Sequence, residues 1–188
     1  MRARAASLGA LPCGRGCSQC CIGPFAITLV DAAELQRGLA SLAESVRRGI
    51  RAQASRQVST IEAEFPRLRE SPFLDEWSEA DLDVLVERFA HLPCPALAPD
   101  GSCRIYAFRP VTCRMMGIPV EADGLVEGAC SVQTAVPVVR LPSRLRREEQ
   151  GLAEREAAAL VLLHRATGAA GDEVLLPYGF LSERLPAN

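Results

Sequence analysis

The cysteines are the feature of this 188-residue chain that most constrains its structure. They fall into two blocks. The N-terminal block contains Cys13, Cys17, Cys20 and Cys21, and the second block contains Cys94, Cys103, Cys113 and Cys130. The stretch between the blocks has no cysteine, and neither do the residues after Cys130. The chain is long enough to bury a hydrophobic core without covalent cross-links. Its fold must therefore accommodate two cysteine-bearing segments set apart in sequence.

Three interpretations of the cysteines compete: metal ligands, disulfide bonds and free buried thiols. The start of the chain, MRARAASLGALPC, lacks the apolar stretch of a secretory signal, and no apolar run is long enough to span a membrane. We therefore expect a cytoplasmic protein, and disulfides are rare in that compartment. Metal binding is the favoured interpretation, with disulfides and free thiols as the alternatives.

The charge balance bears on the choice of partner. The sequence has 21 basic and 23 acidic residues, and every basic residue is an arginine. Binding to nucleic acid through bulk electrostatics needs a net basic surface, which a formal charge of -2 does not supply. We expect neither a nucleic-acid nor a membrane partner, while a protein partner is compatible with the sequence.

Helix signals occur on both sides of the second cysteine block. Thr28 is placed to cap a helix through DAAELQRGL, a helix-forming stretch runs from Ser41 to about Phe65, and Ser78 precedes an amphipathic pattern that Pro93 ends. After the block, VPVVRLP reads as an extended segment. The last predicted helix contains Leu152, Ala159, Leu160 and Leu163 and ends at Gly168.

These signals predict a mainly α-helical, single-domain protein over residues 1–188. Amphipathic helices should surround an irregular, cysteine-ligated metal-binding lobe. The cysteine-cluster region covers about 13–130, the stretch 94–130 reads as loop, and a C-terminal helical segment covers about 145–188. The tail DEVLLPYGFLSERLPAN should fold back onto the core.

The spacing of the first block suits metal ligation, because Cys17-x-x-Cys20 lets one tight turn present two sulfurs to the same centre. Cys13 lies four positions before Cys17, and neighbouring glycines allow the backbone to curl around a site. The same spacing occurs in radical-SAM enzymes. This chain is too short for their barrel and shows no alternating strand–helix pattern.

The adjacent pair Cys20 and Cys21 raises a geometric question. Successive side chains usually diverge, so we expect Cys20 to share a centre with Cys17 and Cys21 to face a second-block cysteine or a second centre. The first block would then not close a four-cysteine site alone. Metal would tie the two blocks together, with all eight cysteines as candidate ligands.

An iron–sulfur cluster is favoured over zinc as the cofactor. The second block lacks the C-x-x-C knuckle of zinc ribbons, and neither block contains a histidine. Cys94 is followed by Pro95, a pairing also found at ferredoxin-type cluster ligands. Zinc remains the alternative.

Two sequence segments carry a family resemblance: CGRGCSQCC, and CPALAPDGSCRIYAFRPVTCR from Cys94 to Arg114. Together they resemble the cysteine-cluster family named after the bacterial YkgJ protein, whose first signature is C-x-x-C-x-x-C-C. This sequence has one extra residue between Cys13 and Cys17. The resemblance covers roughly Cys13 to Cys130 and implies a bound zinc, iron or cluster. A related cysteine arrangement occurs in the larger flagellin lysine methylases.

Three residues beside the second-block cysteines are candidate cofactor-binding residues: Tyr106, Arg109 and Arg114. Arginine donors offset the negative charge of a thiolate cluster. The alternative is a packing tyrosine with solvated arginines. Arg109 is the favoured candidate, because Pro110 restricts the chain there.

Three functional hypotheses follow. The first is a metal or iron–sulfur protein acting in electron transfer, sensing or metal handling. The second is an enzyme or enzyme partner in cluster-dependent protein modification, although no catalytic or cosubstrate motif is present. The third is an interaction module held by structural zinc.

Overall fold

Helices dominate the computed structural model, which describes residues 16–117, 119–122, 125–128 and 138–185. The α-helices in this part of the chain are α1 (Leu29–Ala40), α2 (Glu44–Glu64), α3 (Arg67–Glu70), α4 (Glu79–Arg88), α5 (Val111–Met115), α6 (Ser143–Thr167) and α7 (Leu176–Gly179). The strands are β1 (Ala26–Thr28), β2 (Val120–Ala122), β3 (Leu125–Glu127), β4 (Val139–Arg140) and β5 (Glu173–Leu175). The mainly α prediction is confirmed. Cys13 and Cys130 lie outside the described residues.

The predicted helix caps are present. The Thr28 side chain accepts a hydrogen bond from the Asp31 backbone N–H at 3.2 Å, and Ser78 accepts one from Asp81 N–H at the same distance. Each bond satisfies a donor that the first helical turn leaves unpaired. Gly168 ends α6 with φ +67°, a left-handed conformation that glycine adopts without strain.

Some predicted boundaries were wrong. The helix predicted from Ser41 begins at Glu44, because the Ser41 hydroxyl donates to the Gly38 carbonyl and closes α1 instead. The helix predicted to run to Pro93 ends at Arg88. The chain must turn there, because the carbonyl of Leu92 accepts a hydrogen bond from Gly23 N–H.

Two small sheets connect segments that are distant in sequence. β1 pairs antiparallel with β5, placing Ile27 opposite Val174. β2 pairs antiparallel with β3 and parallel with β4. The extended segment predicted at VPVVRLP is confirmed in β4, whereas α5, β2 and β3 lie in a stretch predicted as loop. The β1–β5 pair joins the end of the first cysteine block to the C-terminal tail.

The core forms where α1, α2, α4 and the tail meet. Leu35, Leu39, Val58 and Ile61 are fully buried there, together with Phe180 of the tail. Each buried aliphatic side chain contributes about 1.5–3 kcal/mol relative to exposure. The predicted return of the tail onto the core is confirmed.

A polar contact also holds the tail to α2. The Tyr178 hydroxyl donates to the buried Glu62 carboxylate at 3.1 Å, and Arg184 pairs with the same oxygen at 3.3 Å. Burial raises the pKa of Tyr178, and the neighbouring Glu62 carboxylate raises it further. The hydroxyl therefore remains a donor at neutral pH.

The long helix α6 packs on the core along only part of its predicted apolar face. Leu160 and Leu163 pack against the core cluster, but Leu152 remains exposed. No helix among the described residues combines the length and apolar character needed to cross a bilayer.

Candidate metal centre

The first cysteine segment, residues 16–24, turns tightly at the cysteine doublet. Gln19–Cys21 forms one 3-10 turn, in which Cys21 N–H donates to the Ser18 carbonyl at 2.9 Å. Ile22 is extended, and the chain then continues towards β1. The doublet is thereby fixed just before the chain joins the β1–β5 pair.

Backbone hydrogen bonds pair this segment with the second cysteine segment, residues 92–115. Cys94 N–H donates to the Cys21 carbonyl at 2.6 Å, and Gly23 N–H donates to the Leu92 carbonyl at 2.7 Å. Ile22 and Pro93 face each other in an antiparallel bridge between these two bonds. Cys21 and Cys94 are therefore direct neighbours, although more than seventy residues separate them.

A short hairpin then brings Cys103 back towards Cys94. Leu97 and Cys103 form an antiparallel bridge, closed by a turn at Gly101. Gly101 has φ +76°, and a Cβ atom there would lie 2.6 Å from the Gly16 carbonyl oxygen. Only glycine fits this close approach. The turn is thus packed against the start of the first segment.

The last cysteine of the second segment lies on α5. Cys113 is in the middle of this five-residue helix. The preceding Phe108 packs on α1 at Gly38, where a Cβ atom would lie 2.9 Å from the Phe108 Cβ. The absence of a side chain at Gly38 lets the cysteine loop approach the helix closely.

Five thiols from the two segments are close enough for their charges to interact: Cys20, Cys21, Cys94, Cys103 and Cys113. Burial is the main influence on three of them. It raises the pKa of Cys94 and of Cys113 to about 12 and also raises that of Cys103, with the charge on Cys20 adding to each increase. An uncompensated thiolate is therefore unfavourable at Cys94, Cys103 and Cys113.

Cys21 lies beside second-block cysteines, as predicted, but its thiol also contacts that of Cys20. The Cys21 thiol donates a hydrogen bond to the Cys20 sulfur, which lowers the pKa of Cys20 to about 6 and raises that of Cys21. Both side chains therefore lie in the same region, and the charges of Cys94 and Cys113 act on Cys21. The tight turn and the backbone bond to Cys94 explain this convergence. Cys17 lies one turn earlier and is exposed, and its role as a ligand stays a prediction.

Arg109 supplies positive charge to these thiols. Its guanidinium lowers the pKa of Cys20, Cys103 and Cys113, as a nearby cation does for any thiol. The guanidinium carbon lies 3.6 Å from the centroid of the Tyr106 ring, and Nε donates to the Tyr106 carbonyl at 3.1 Å. The exposed tyrosine thus holds the arginine in place by stacking.

Arg114 braces the same loop from the next helix. Its side chain donates to the carbonyls of Arg109 at 2.7 Å and Ala107 at 2.5 Å. These bonds fix the backbone that carries Arg109. Direct contact of Tyr106, Arg109 or Arg114 with a cofactor stays a prediction.

Cysteine sulfurs are suitable ligands for a soft metal, because thiolates bind zinc and iron–sulfur clusters. Across residues 16–117, 119–122, 125–128 and 138–185, no group of three or more His, Cys, Asp or Glu side chains already stands in position to hold a metal ion.

Sequence reasoning missed the polar residues that attach the cysteine loops to the helices. Gln57 on α2 is buried, and its amide donates to the Pro93 carbonyl at 2.7 Å, next to Cys94. Asp31 on α1 accepts a hydrogen bond from Val111 N–H near Cys113. Their only sequence signal is a polar residue amid an apolar helical pattern.

Comparison with known proteins places the cysteine region in a family. The CxxCxxCC family, described as a "putative zinc- or iron-chelating domain", matches residues 12–131, which is more than half of the chain. No curated protein and no solved structure gives a significant match. The matched range begins just before Cys13 and ends just after Cys130, so it includes all eight cysteines. The chain therefore belongs to the CxxCxxCC family.

Proposed function

We propose that this protein binds an iron–sulfur cluster between its two cysteine segments. The observation that carries the proposal is the convergence of five thiols, two from the first segment and three from the second, within range of each other's charge. The family description as a zinc- or iron-chelating domain is consistent with this assignment.

Electrostatics supports a bound cation. Several buried thiols with raised pKa values cannot all ionise together unless positive charge compensates them. Arg109 supplies one such charge, and a metal centre would supply more and favour the thiolate forms. A bound iron–sulfur cluster would supply one-electron redox chemistry, while Arg109 would moderate the negative charge of its thiolates.

The pattern of the cysteines, rather than their number, favours a cluster over a zinc ion. The second block lacks the C-x-x-C knuckle of zinc ribbons, and Cys94 is followed by Pro95, as at ferredoxin-type cluster ligands. The five interacting thiols exceed both the four ligands of one tetrahedral zinc ion and the four cysteines of one common iron–sulfur cluster. The candidate ligands within the described segments are Cys17, Cys20, Cys21, Cys94, Cys103 and Cys113; Cys13 and Cys130 complete the set by sequence.

The proposed role is electron transfer, sensing or metal handling. The cavity that touches Cys94 is lined also by Gln57, Pro95 and Pro177 and has a volume of about 10 Å³. Such a volume holds no more than one water molecule.

We also propose that the cysteine region and the C-terminal segment form one domain. The β1–β5 pair joins them, and Thr28 donates to Glu156 of α6 at 2.8 Å. A buried core that includes both Leu35 and Tyr178 supports the same conclusion.

Anaerobic purification followed by metal analysis and visible spectroscopy tests the function. We expect iron and acid-labile sulfide bound to the chain, with a brown colour and broad visible absorption. Stoichiometric zinc in a colourless protein would show that the site binds zinc and not an iron–sulfur cluster. Metal-free protein that takes up neither iron with sulfide nor zinc would contradict metal binding altogether.

Serine substitutions test the doublet. Both sulfurs lie among the second-segment thiols, and a metal site of this type contributes ~10 kcal/mol to folding through all its ligands together. Because each substitution would remove one of those ligands, we expect Cys20→Ser and Cys21→Ser each to weaken metal retention by about tenfold or more. Metal content per chain after dialysis measures the effect. Ser18→Ala, in the same turn but without a thiol, is the matched control. Full metal content and unchanged stability in both cysteine variants would mean that the doublet is not a ligand pair.

Arg109 provides the third test. Replacing Arg109 with Ala removes a positive charge that acts on Cys20, Cys103 and Cys113. Metal retention should therefore fall by about tenfold, the scale found for groups next to ligands, or the redox potential should shift. Arg144→Ala is the control, because Arg144 pairs with Glu148 on the exposed surface of α6. Titration with a competing chelator and redox titration compare the variants. Equal metal retention and equal redox potential in the two variants would mean that Arg109 acts only as a surface charge.

A further inference from the structure

A buried carboxylate joins helix α1 to the helix that carries Cys113. Asp31 lies in the first turn of α1 and is 6% exposed. Its Oδ1 accepts a hydrogen bond from the backbone N–H of Val111 at 3.0 Å. Val111 is the first residue of α5, eighty positions away in sequence. The contact thus connects the helical core to the second cysteine segment at one defined atom pair.

Helix α5 cannot supply this contact itself. Pro110 occupies its N-cap position and offers no side-chain acceptor, so no capping bond forms within the segment. The first N–H groups of any helix lack partners inside it, and a five-residue helix is too short to be stable in isolation. An acceptor from elsewhere in the fold is needed, and Asp31 provides it.

We propose that Asp31 is a positioning residue: it caps α5 from outside and thereby fixes the backbone that presents Cys113 and Arg114 to the metal centre. The second half of this statement rests on the proposed metal-binding function. The first half, the capping of α5, concerns the metal-free protein as well.

Neighbouring groups fix the backbone at Asp31 and influence the charge of its carboxylate. Thr28 accepts a hydrogen bond from Asp31 N–H at 3.2 Å and donates its own hydroxyl to Glu156 at 2.8 Å. Burial raises the pKa of Asp31 to about 6, and the charge of Glu156 adds to this, while the bond from Val111 and the charge of Arg114 oppose it. The balance leaves the carboxylate largely ionised at neutral pH, the form that accepts most strongly.

Substitutions of Asp31 separate the capping bond from mere packing. In metal-free protein, Asp31→Ala should accelerate amide exchange at Val111 by about tenfold or more, because a charged acceptor is lost. It should also speed alkylation of Cys113. Asp31→Asn retains an acceptor oxygen and should stay close to wild type in both measurements. If the wild-type protein binds metal, Asp31→Ala should also lower its metal retention by about tenfold.

A matched control guards against general destabilisation. Glu62 is buried to the same degree and also bonds groups from a distant segment, but its partners are Tyr178 and Arg184. Glu62→Ala should therefore loosen the tail without selectively exposing Val111 or Cys113. The capping role is overturned if Asp31→Ala leaves exchange at Val111 unchanged, if Asp31→Asn behaves like Asp31→Ala, or if Glu62→Ala has the same local effect.

The two halves of the proposal fail separately. Exchange at Val111 and alkylation of Cys113 decide the capping role whether or not metal is bound. Absence of metal from the wild-type protein would contradict the proposed function, but the exchange and alkylation measurements would still decide the capping role. Normal metal retention in an Asp31→Ala protein with an opened α5 would overturn the link between the cap and the centre.

Discussion

Two backbone hydrogen bonds hold the cysteine segments side by side, one from Cys94 N–H to the Cys21 carbonyl and one from Gly23 N–H to the Leu92 carbonyl. The convergence of thiols depends on them, because they place the end of the first segment against the start of the second. Each such bond contributes only about 1 kcal/mol net, and ordering each residue of a loop costs about 1–2 kcal/mol. Two bonds alone therefore cannot order both segments.

The helices and the centre supply the rest. Gln57 holds the Pro93 carbonyl, Asp31 holds α5, and Gly38 lets Phe108 pack directly on α1. These contacts bring the thiols into a region where burial opposes their ionisation. Arg109 compensates part of the charge, and a bound metal would compensate the remainder while contributing about 10 kcal/mol or more to folding. Scaffold and centre would then stabilise each other.

Much of the architecture could be predicted from local sequence. Thr28, Ser78 and Gly168 act at single helix ends, so their residue types were sufficient to identify the caps. Helix α5 escaped prediction because it is five residues long and receives its cap from Asp31, eighty positions away. The end of α4 at Arg88 depends on pairing with the first segment, and the sequence around Arg88 contains no signal for that pairing.

The candidate site shows the same division. The grouping of cysteines into two blocks and the proximity of Arg109 to thiols could be anticipated from spacing and residue chemistry. The approach of Cys21 to the second block could also be anticipated, but the contact between the two thiols of the doublet could not, because it depends on the tight turn at Cys20 and Cys21. Gln57 and Gly38 carry no motif, since their roles arise only when α1 and α2 pack against the loops.

Amide hydrogen exchange before and after metal removal tests the central claim most directly, that one thiolate-bound centre ties both cysteine segments to the helical core. Removing metal with a chelator should reduce protection in residues 16–24 and 92–115 together, while the buried parts of α1 and α2 remain protected. Unchanged protection of both segments in a verified metal-free protein, or loss confined to only one of them, would contradict the claim.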